Sequence, residues 1–231
     1  MAIMVEVQPL ERAGRRGVWF TGTVDSSDPA QVDALMDSID AALREHGLSG
    51  LADIVRTRIL AASRPARDAG SKIRASRLLN GPGASASSSY IEPRLFPAGD
   101  GVRFEGMALA DAGDGKVIVK YEDGSPLCRY VATGDLVFNT GVTSTSPTFE
   151  EQLANLVPRM AETIRLAGER LGRPVRPTSV TAFVDRTVDP GSGASLADRL
   201  GLSGVPMTIG RCDGFTTVGK LIEVEVDAAA G

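Results

Sequence analysis

The sequence predicts an α+β protein built from one ββαβαββ unit written twice, and three observations lead there. Residues 102–110 and 220–227 both read as strands, and each sets a glutamate, Glu105 or Glu223, among apolar neighbours. The stretch Val18-Trp-Phe-Thr-Gly22 is matched by Val137-Phe-Asn-Thr-Gly141. After each of these comes the same succession: an amphipathic helix, a strand, a shorter helix and two strands. The flexible run Ala112-Gly-Asp-Gly115 sets the expected division, residues 1–112 and 113–231.

In the first unit, residues 3–8 and 17–24 alternate as a pair of strands. Asp28-Pro29 suits an N-cap followed by proline at the first helical position. Val32, Leu35, Met36, Ile39 and Leu43 then share one helical face, and Gly47 stops the helix. Residues 54–62 are the next strand and 65–79 the second helix, broken by Asn80-Gly-Pro-Gly83. A Ser/Ala run over 84–89 leads into a strand at 90–96, which Pro93 pushes toward an edge or bulge.

The second unit opens with a strand at 116–121 and a turn over 122–125. Residues 129–132 and 136–141 read as strands. Thr148-Phe-Glu-Glu151 is a capping-box pattern. Leu153, Leu156, Val157, Met160, Ile164, Ala167 and Leu171 form a helical stripe, in which Pro158 predicts a bend or a late start. Strands follow at 178–186, 207–211 and 218–226, with a short helix at 194–200.

Composition narrows the function. The chain has 231 residues, 42% hydrophobic, with mean hydropathy near zero, so a packed core is expected. A net charge of −4 argues against a nucleic-acid partner. No apolar run approaches the ~20 residues of a membrane span, and the first residues lack the basic start of a signal peptide. A cytoplasmic protein is the expectation. Two cysteines, Cys128 and Cys212, make no disulfide framework, and a single His46 leaves no His-rich metal site. No metal or other cofactor is expected. Glycines 81 and 83 do not form a phosphate loop, because no Gly-Lys-Ser/Thr follows.

The Thr21-Gly22 and Thr140-Gly141 corners, the phrase Ala52-Asp-Ile-Val-Arg-Thr57 and Ser125-Pro126 together resemble the Rid family, also called YjgF or L-PSP. The resemblance covers nearly the whole chain as two units. It implies the chorismate-mutase-like ββαβαββ fold in each, a sheet with helices on one face, and homo-oligomerisation, with a trimer as the family's habit. Two fused units also resemble the chorismatases, which are biosynthetic hydrolases. In Rid deaminases a strand arginine clamps the substrate carboxylate and a glutamate on the last strand handles protons or water. Carried over by position, the glutamate falls at Glu105 and Glu223. The arginine position falls at Ser87 and Thr208, so neither unit keeps the clamp. The family's tyrosine near the first strand falls at Leu127. Arg94 and Arg211, with Arg77 on the preceding helix, are the candidate substitutes.

Glu105 and Glu223 are therefore the candidate catalytic carboxylates, their acidity tunable by an apolar cleft. Glu225 shares a strand face with Glu223, so the two could sit in one cleft and act on each other's charge, although one inward and one rim carboxylate is the arrangement expected. Ser87, Ser88, Tyr90, Arg94, Thr140, Gly141, Thr208 and Arg211 are the candidate substrate-binding residues, the hydroxyls and amides suited to a carboxylate or carbonyl oxygen. Cys212 reads as a buried structural thiol. The expected activity is that of a Rid-like enzyme of small-molecule, specialised metabolism. It would act on an unstable enamine, imine, enol or keto acid by hydrolysis, cyclisation or condensation. Two alternatives stand beside it: ordinary 2-imino acid deamination, and a non-catalytic binding module.

Overall fold

The computed structural model describes residues 2–79, 83–97, 99–123, 127–189, 191 and 195–231. The chain begins with a hairpin of β1 (Ile3–Arg12) and β2 (Arg15–Val24). Its two-residue corner, Ala13-Gly14, has positive φ at both positions, which matches the twist of the flanking strands. That turn makes both strands longer than the alternation alone suggests. Helix α1 (Pro29–Glu45) starts where expected: the Asp28 side chain accepts from Ala30 N, and Pro29 fills the first helical position. The five predicted apolar residues are its buried face. Burying side chains of this kind contributes about 1.5–3 kcal/mol each.

Strand β3 (Ile54–Ala61), helix α2 (Arg64–Leu78), β4 (Ala86–Ile91) and β5 (Val102–Leu109) complete the unit. Their strand order is β1-β2-β5-β3-β4. One expectation is corrected here. The Ser/Ala run is itself the strand β4, and Pro93–Leu95 is a 3₁₀ turn, not strand. Small side chains let β4 pair in parallel with β3 while lying close to the second unit, where Gly141 N donates to Ser87 O at 3.2 Å. Pro93 supplies no N–H to continue the ladder.

The second unit contains α3 (Ala112–Gly115), β6 (Val117–Lys120), β7 (Cys128–Thr133), β8 (Leu136–Asn139), β9 (Val142–Thr143), α4 (Phe149–Leu171), β10 (Val175–Asp185), α5 (Leu196–Arg199), β11 (Met207–Cys212), β12 (Gly214–Phe215) and β13 (Ile222–Ala230). Its core order, β7-β8-β13-β10-β11, repeats that of the first unit, with β6 added at one edge. The duplication is thus visible in topology. The capping box at Thr148–Glu151 forms and starts α4 nine residues before Pro158, so the helix does not begin late. Strands β9 and β12 were not anticipated, since two-residue pairings leave no period to read. Predicted features at 80–82, 124–126 and 194 lie outside the described residues.

Helices α1 and α2 cover one face of the first sheet through Val18, Phe20, Ile59 and Phe104. Helix α4 covers one face of the second through Leu153, Leu156, Val180 and Val224. The two uncovered faces meet through Met107 and Leu109 of one unit and Leu136 and Phe138 of the other. Strand β12 crosses over and pairs with β4, Phe215 opposite Tyr90, which ties the second unit to the first. Among the described residues no helix is long and apolar enough to cross a membrane.

Candidate active site

The site begins with two strands whose polar residues point between the sheets. On β13, Glu223, Glu225 and Asp227 recur at period two. On β3, Arg56 and Arg58 do the same. Glu225 receives Arg56 Nη1 at 3.0 Å and Arg58 Nη2 at 2.7 Å, and Asp227 receives Arg56 Nη2 at 2.6 Å. Arg12 completes the group with a 2.8 Å bond to Asp227. Ser88 Oγ also donates to Glu225, as does Tyr90 Oη at 3.0 Å. Burial alone would raise the Glu225 carboxyl, but Arg58 and Arg56 override it and hold the group at about 2.

Glu223 has the opposite fate. It is 4% exposed and makes no ion pair among the described residues. Burial pushes its carboxyl up to about 7, and the ionised Glu225 adds to that rise against Lys220, Tyr90 and Arg74. At neutral pH it can therefore both give and take a proton. Gly141 makes room for it: a Cβ at that position would overlap the Glu223 carboxylate. The first unit's corner has a different tenant, since a Cβ on Gly22 would meet Ile39 of α1 at 2.8 Å. Two Thr-Gly corners that look alike in sequence thus serve a site in one unit and a core in the other.

Glu223 lies in the wall of a cleft of about 420 Å³ between the units. The first unit contributes Ser87, Ser88 and Ser89 of β4 and Arg67 and Arg74 of α2; the second contributes Thr140, Gly141, Thr143, Arg159 and Lys220. Leu79, Ala75 and Leu127 supply apolar surface. One end is closed by the segment that links β12 to β13. Its Thr216 carbonyl accepts from Arg64 at 2.7 Å and Arg67 at 3.2 Å, and its hydroxyl meets Ser89 Oγ at 2.9 Å. That latch sets Lys220, its pKa lowered by burial, beside Glu223. A cleft lined by four cationic side chains against Asp123 and Glu223, of which Glu223 has its carboxyl raised toward neutrality, suits a small anion that undergoes proton transfer. Among the described residues no group of three His, Cys, Asp or Glu is placed to hold a metal.

Of the residues singled out from sequence, Glu223, Ser87, Ser88, Thr140 and Gly141 come together at this cleft. The others do not. Tyr90 lies behind the wall, stacked on Phe183 with centroids 3.8 Å apart. Glu105 sits on β5 opposite Arg58, whose guanidinium Glu225 already holds; its own partner is Arg103 at 3.8 Å. Burial raises the Glu105 carboxyl, but the group is not part of the cleft wall. Arg94 is exposed on the turn after β4, because that strand ends at Ile91. Arg211 is turned into its own unit, where Nη2 donates to the carbonyls of Arg186 and Val188. Thr208 is exposed on β11 at the far edge of the second sheet. Arg77 pairs with Asp33 at 2.7 Å on the outer helix layer. Burial pushes the Cys212 thiol up to about 12, consistent with an inert structural role.

The cations of the cleft were missed, although a signal existed. Arg67, Gly70, Arg74 and Leu78 are the buried stripe of α2, so two arginines occupy positions where apolar residues are expected. Arg56 and Arg58 break an apolar strand at period two, which calls for anions on the facing element. Arg159 and Lys220 carry no such local mark.

No protein-family model matches the sequence, and no curated protein matches it. Solved structures do. A chorismatase crystal structure superposes at a TM-score of 0.62 over 96% of this chain and 80% of that chain, at 14% identity. The chain shares its fold with a chorismatase. Single-unit likenesses cover half of the chain. A YjgF/YER057c/UK114-family protein from Mycobacterium tuberculosis matches 50% of this chain and 100% of its own, at 19% identity and a TM-score of 0.40. A YjgF-family protein from Neisseria meningitidis matches 50% and 95%, at 12% identity and a TM-score of 0.38. The architecture is that of two tandem ββαβαββ units.

Proposed function

We propose that the protein is a cofactor-independent enzyme that hydrolyses a small carboxylate bearing an enol ether or enamine, with Glu223 as the acid and base. The units taken as 1–112 and 113–231 each supply one side of the site. The observation that carries the reading is the protonation of Glu223: a buried carboxyl near neutrality, open to a cationic cleft, two residues from a carboxylate that stays ionised. Glu223–H donates its proton to the nucleophilic carbon of the C=C bond. The cation left at the adjacent carbon is attacked by water, whose proton returns to the Glu223 carboxylate. The resulting hemiketal or carbinolamine collapses to a keto acid and an alcohol or ammonia. Arg58 and Arg56 keep Glu225 ionised, and Ser88 and Tyr90 help to fix its position, while Glu223 cycles.

The full-length likeness to a chorismatase makes chorismate the first substrate to test, and 2-aminoacrylate the second. Pyruvate release would be followed with a coupled dehydrogenase. Release from chorismate above the spontaneous rate, lost in Glu223→Gln, is the expected result. Equal release by wild type and Glu223→Gln would overturn the assignment of the acid.

A further inference from the structure

We infer that Arg74 on α2 and Ser87 on β4 together form the subsite for the substrate carboxylate, the helix supplying the cation that the strand position lacks. This deepens the reading above and rests on it for the identity of the ligand. Two groups in the cleft are incompletely satisfied among the described residues. Arg74 is 6% exposed and makes one hydrogen bond, Nη1 to Ser88 O at 2.7 Å; it forms no ion pair among the described residues, and the Glu223 carboxyl acts on it only through the field of the cleft. Burial lowers its pKa to about 10, so it remains a cation at neutral pH. A buried charge without a counter-ion is costly unless something else answers it.

Ser87 is 4% exposed, and its hydroxyl has no hydrogen-bond partner among the described residues. Its main chain is already committed, the N–H to Thr140 Oγ1 at 3.3 Å and the carbonyl to Gly141 N at 3.2 Å. The hydroxyl is thus the group left to be satisfied among the described residues, and it lines the same cleft as Arg74 and Glu223. A carboxylate satisfies both at once, taking N–H donors from the guanidinium fork and one O–H from the serine. Arg67 is not equivalent, because Asp68 at 2.7 Å and the Thr216 carbonyl already hold it. Ser87 stands where the resemblance places a clamp arginine. The cation has moved to the neighbouring helix, and a hydroxyl occupies the vacated strand position.

The test is calorimetric titration with benzoate, a carboxylate on a flat unsaturated carbon, and with benzamide, its neutral isostere. Wild type is expected to bind benzoate and not benzamide. Arg74→Met should weaken benzoate by about 10- to 100-fold and Ser87→Ala by about 10-fold, the range of hydrogen bonds to a charged group. Glu223→Gln should still bind benzoate, so a failure of the proposed chemistry would not mask a failure of the subsite. Circular dichroism should show Arg74→Met folded, since the change removes one hydrogen bond, to Ser88 O, and no ion pair among the described residues. If that variant does not fold, Arg74→Lys keeps the charge without the fork and should bind with intermediate affinity. Unchanged benzoate affinity in the folded Arg74 variant, equal binding of benzamide, or no benzoate binding by wild type would each overturn the proposal.

Discussion

Glu223 and Glu225 lie two residues apart on one face of β13 and hold opposite protonation states. Arg56 and Arg58 clasp Glu225 and keep it at about 2, whereas Glu223 is buried with no ion pair among the described residues and rises to about 7. The separation is self-reinforcing, because the charge fixed on Glu225 disfavours a second charge on Glu223.

Glu223→Gln should lower turnover by roughly 10²- to 10⁴-fold, the usual worth of a positioned acid–base group. The same change should stabilise the protein in a pH-dependent way. The folded carboxyl titrates near 7 and the ordinary value is 4.5, so the unfolded chain releases the proton first. Its destabilising effect is absent below about 4.5, grows as pH rises, and is complete above about 7. Thermal melts should show no gain for the variant at pH 4 and a gain of roughly 5 °C or more at pH 8.

In wild type, kcat/KM should fall as pH rises through about 7, because the first step uses protonated Glu223. Glu225 does not contribute a limb between pH 5 and 8, since it is ionised throughout. A rate that rises through pH 7 would argue for a base in the first step.

Glu225→Gln should destabilise the fold by about 3–5 kcal/mol, as removing one partner leaves Arg56 and Arg58 buried without their anion. It should also lower the Glu223 pKa, because a neighbouring negative charge is gone and two cations are released from it. Denaturant melts read the first effect and the pH–rate profile reads the second.

Gly141→Ala should lower activity more than stability. Its Cβ would enter the space of the Glu223 carboxylate and force that group off its position. Gly22→Ala should do the reverse, since its Cβ meets Ile39 in the core. Melts and rates for the two variants, side by side, would separate the corners.

Arg94→Ala should leave turnover within about 2-fold of wild type, since exposed substitutions away from the chemistry have small effects. Loss of activity in this variant would move the site from the cleft to the turn after β4.

Much of the architecture was legible because its determinants are local. Asp28 with Pro29, the Thr148–Glu151 capping box and the stripe from Val32 to Leu43 each act within a few turns of one helix. Glu223, Thr140 and Gly141 were legible for a related reason: the duplicated pattern marks the Thr-Gly corner and the last strand of the unit, which lie side by side in the sheet. The Ser/Ala run misled because its small side chains look like a linker, while their value lies in letting β4 approach the second unit closely.

The sequence by itself determined that a ββαβαββ unit occurs twice and that a glutamate stands on the last strand of each. Hydrophobic period and capping chemistry specify those features within short segments. Only the tertiary structure decided which glutamate is available for proton transfer. Glu105 and Glu223 occupy similar strand patterns, yet Glu105 faces Arg58 and Arg103, while Glu223 faces a cleft assembled from α2, β4 and the segment before β13. A pKa is a sum over burial and charges from all of those elements, and residues as far apart in the chain as Arg74 and Lys220 contribute to it. That sum exists only once the two sheets have packed.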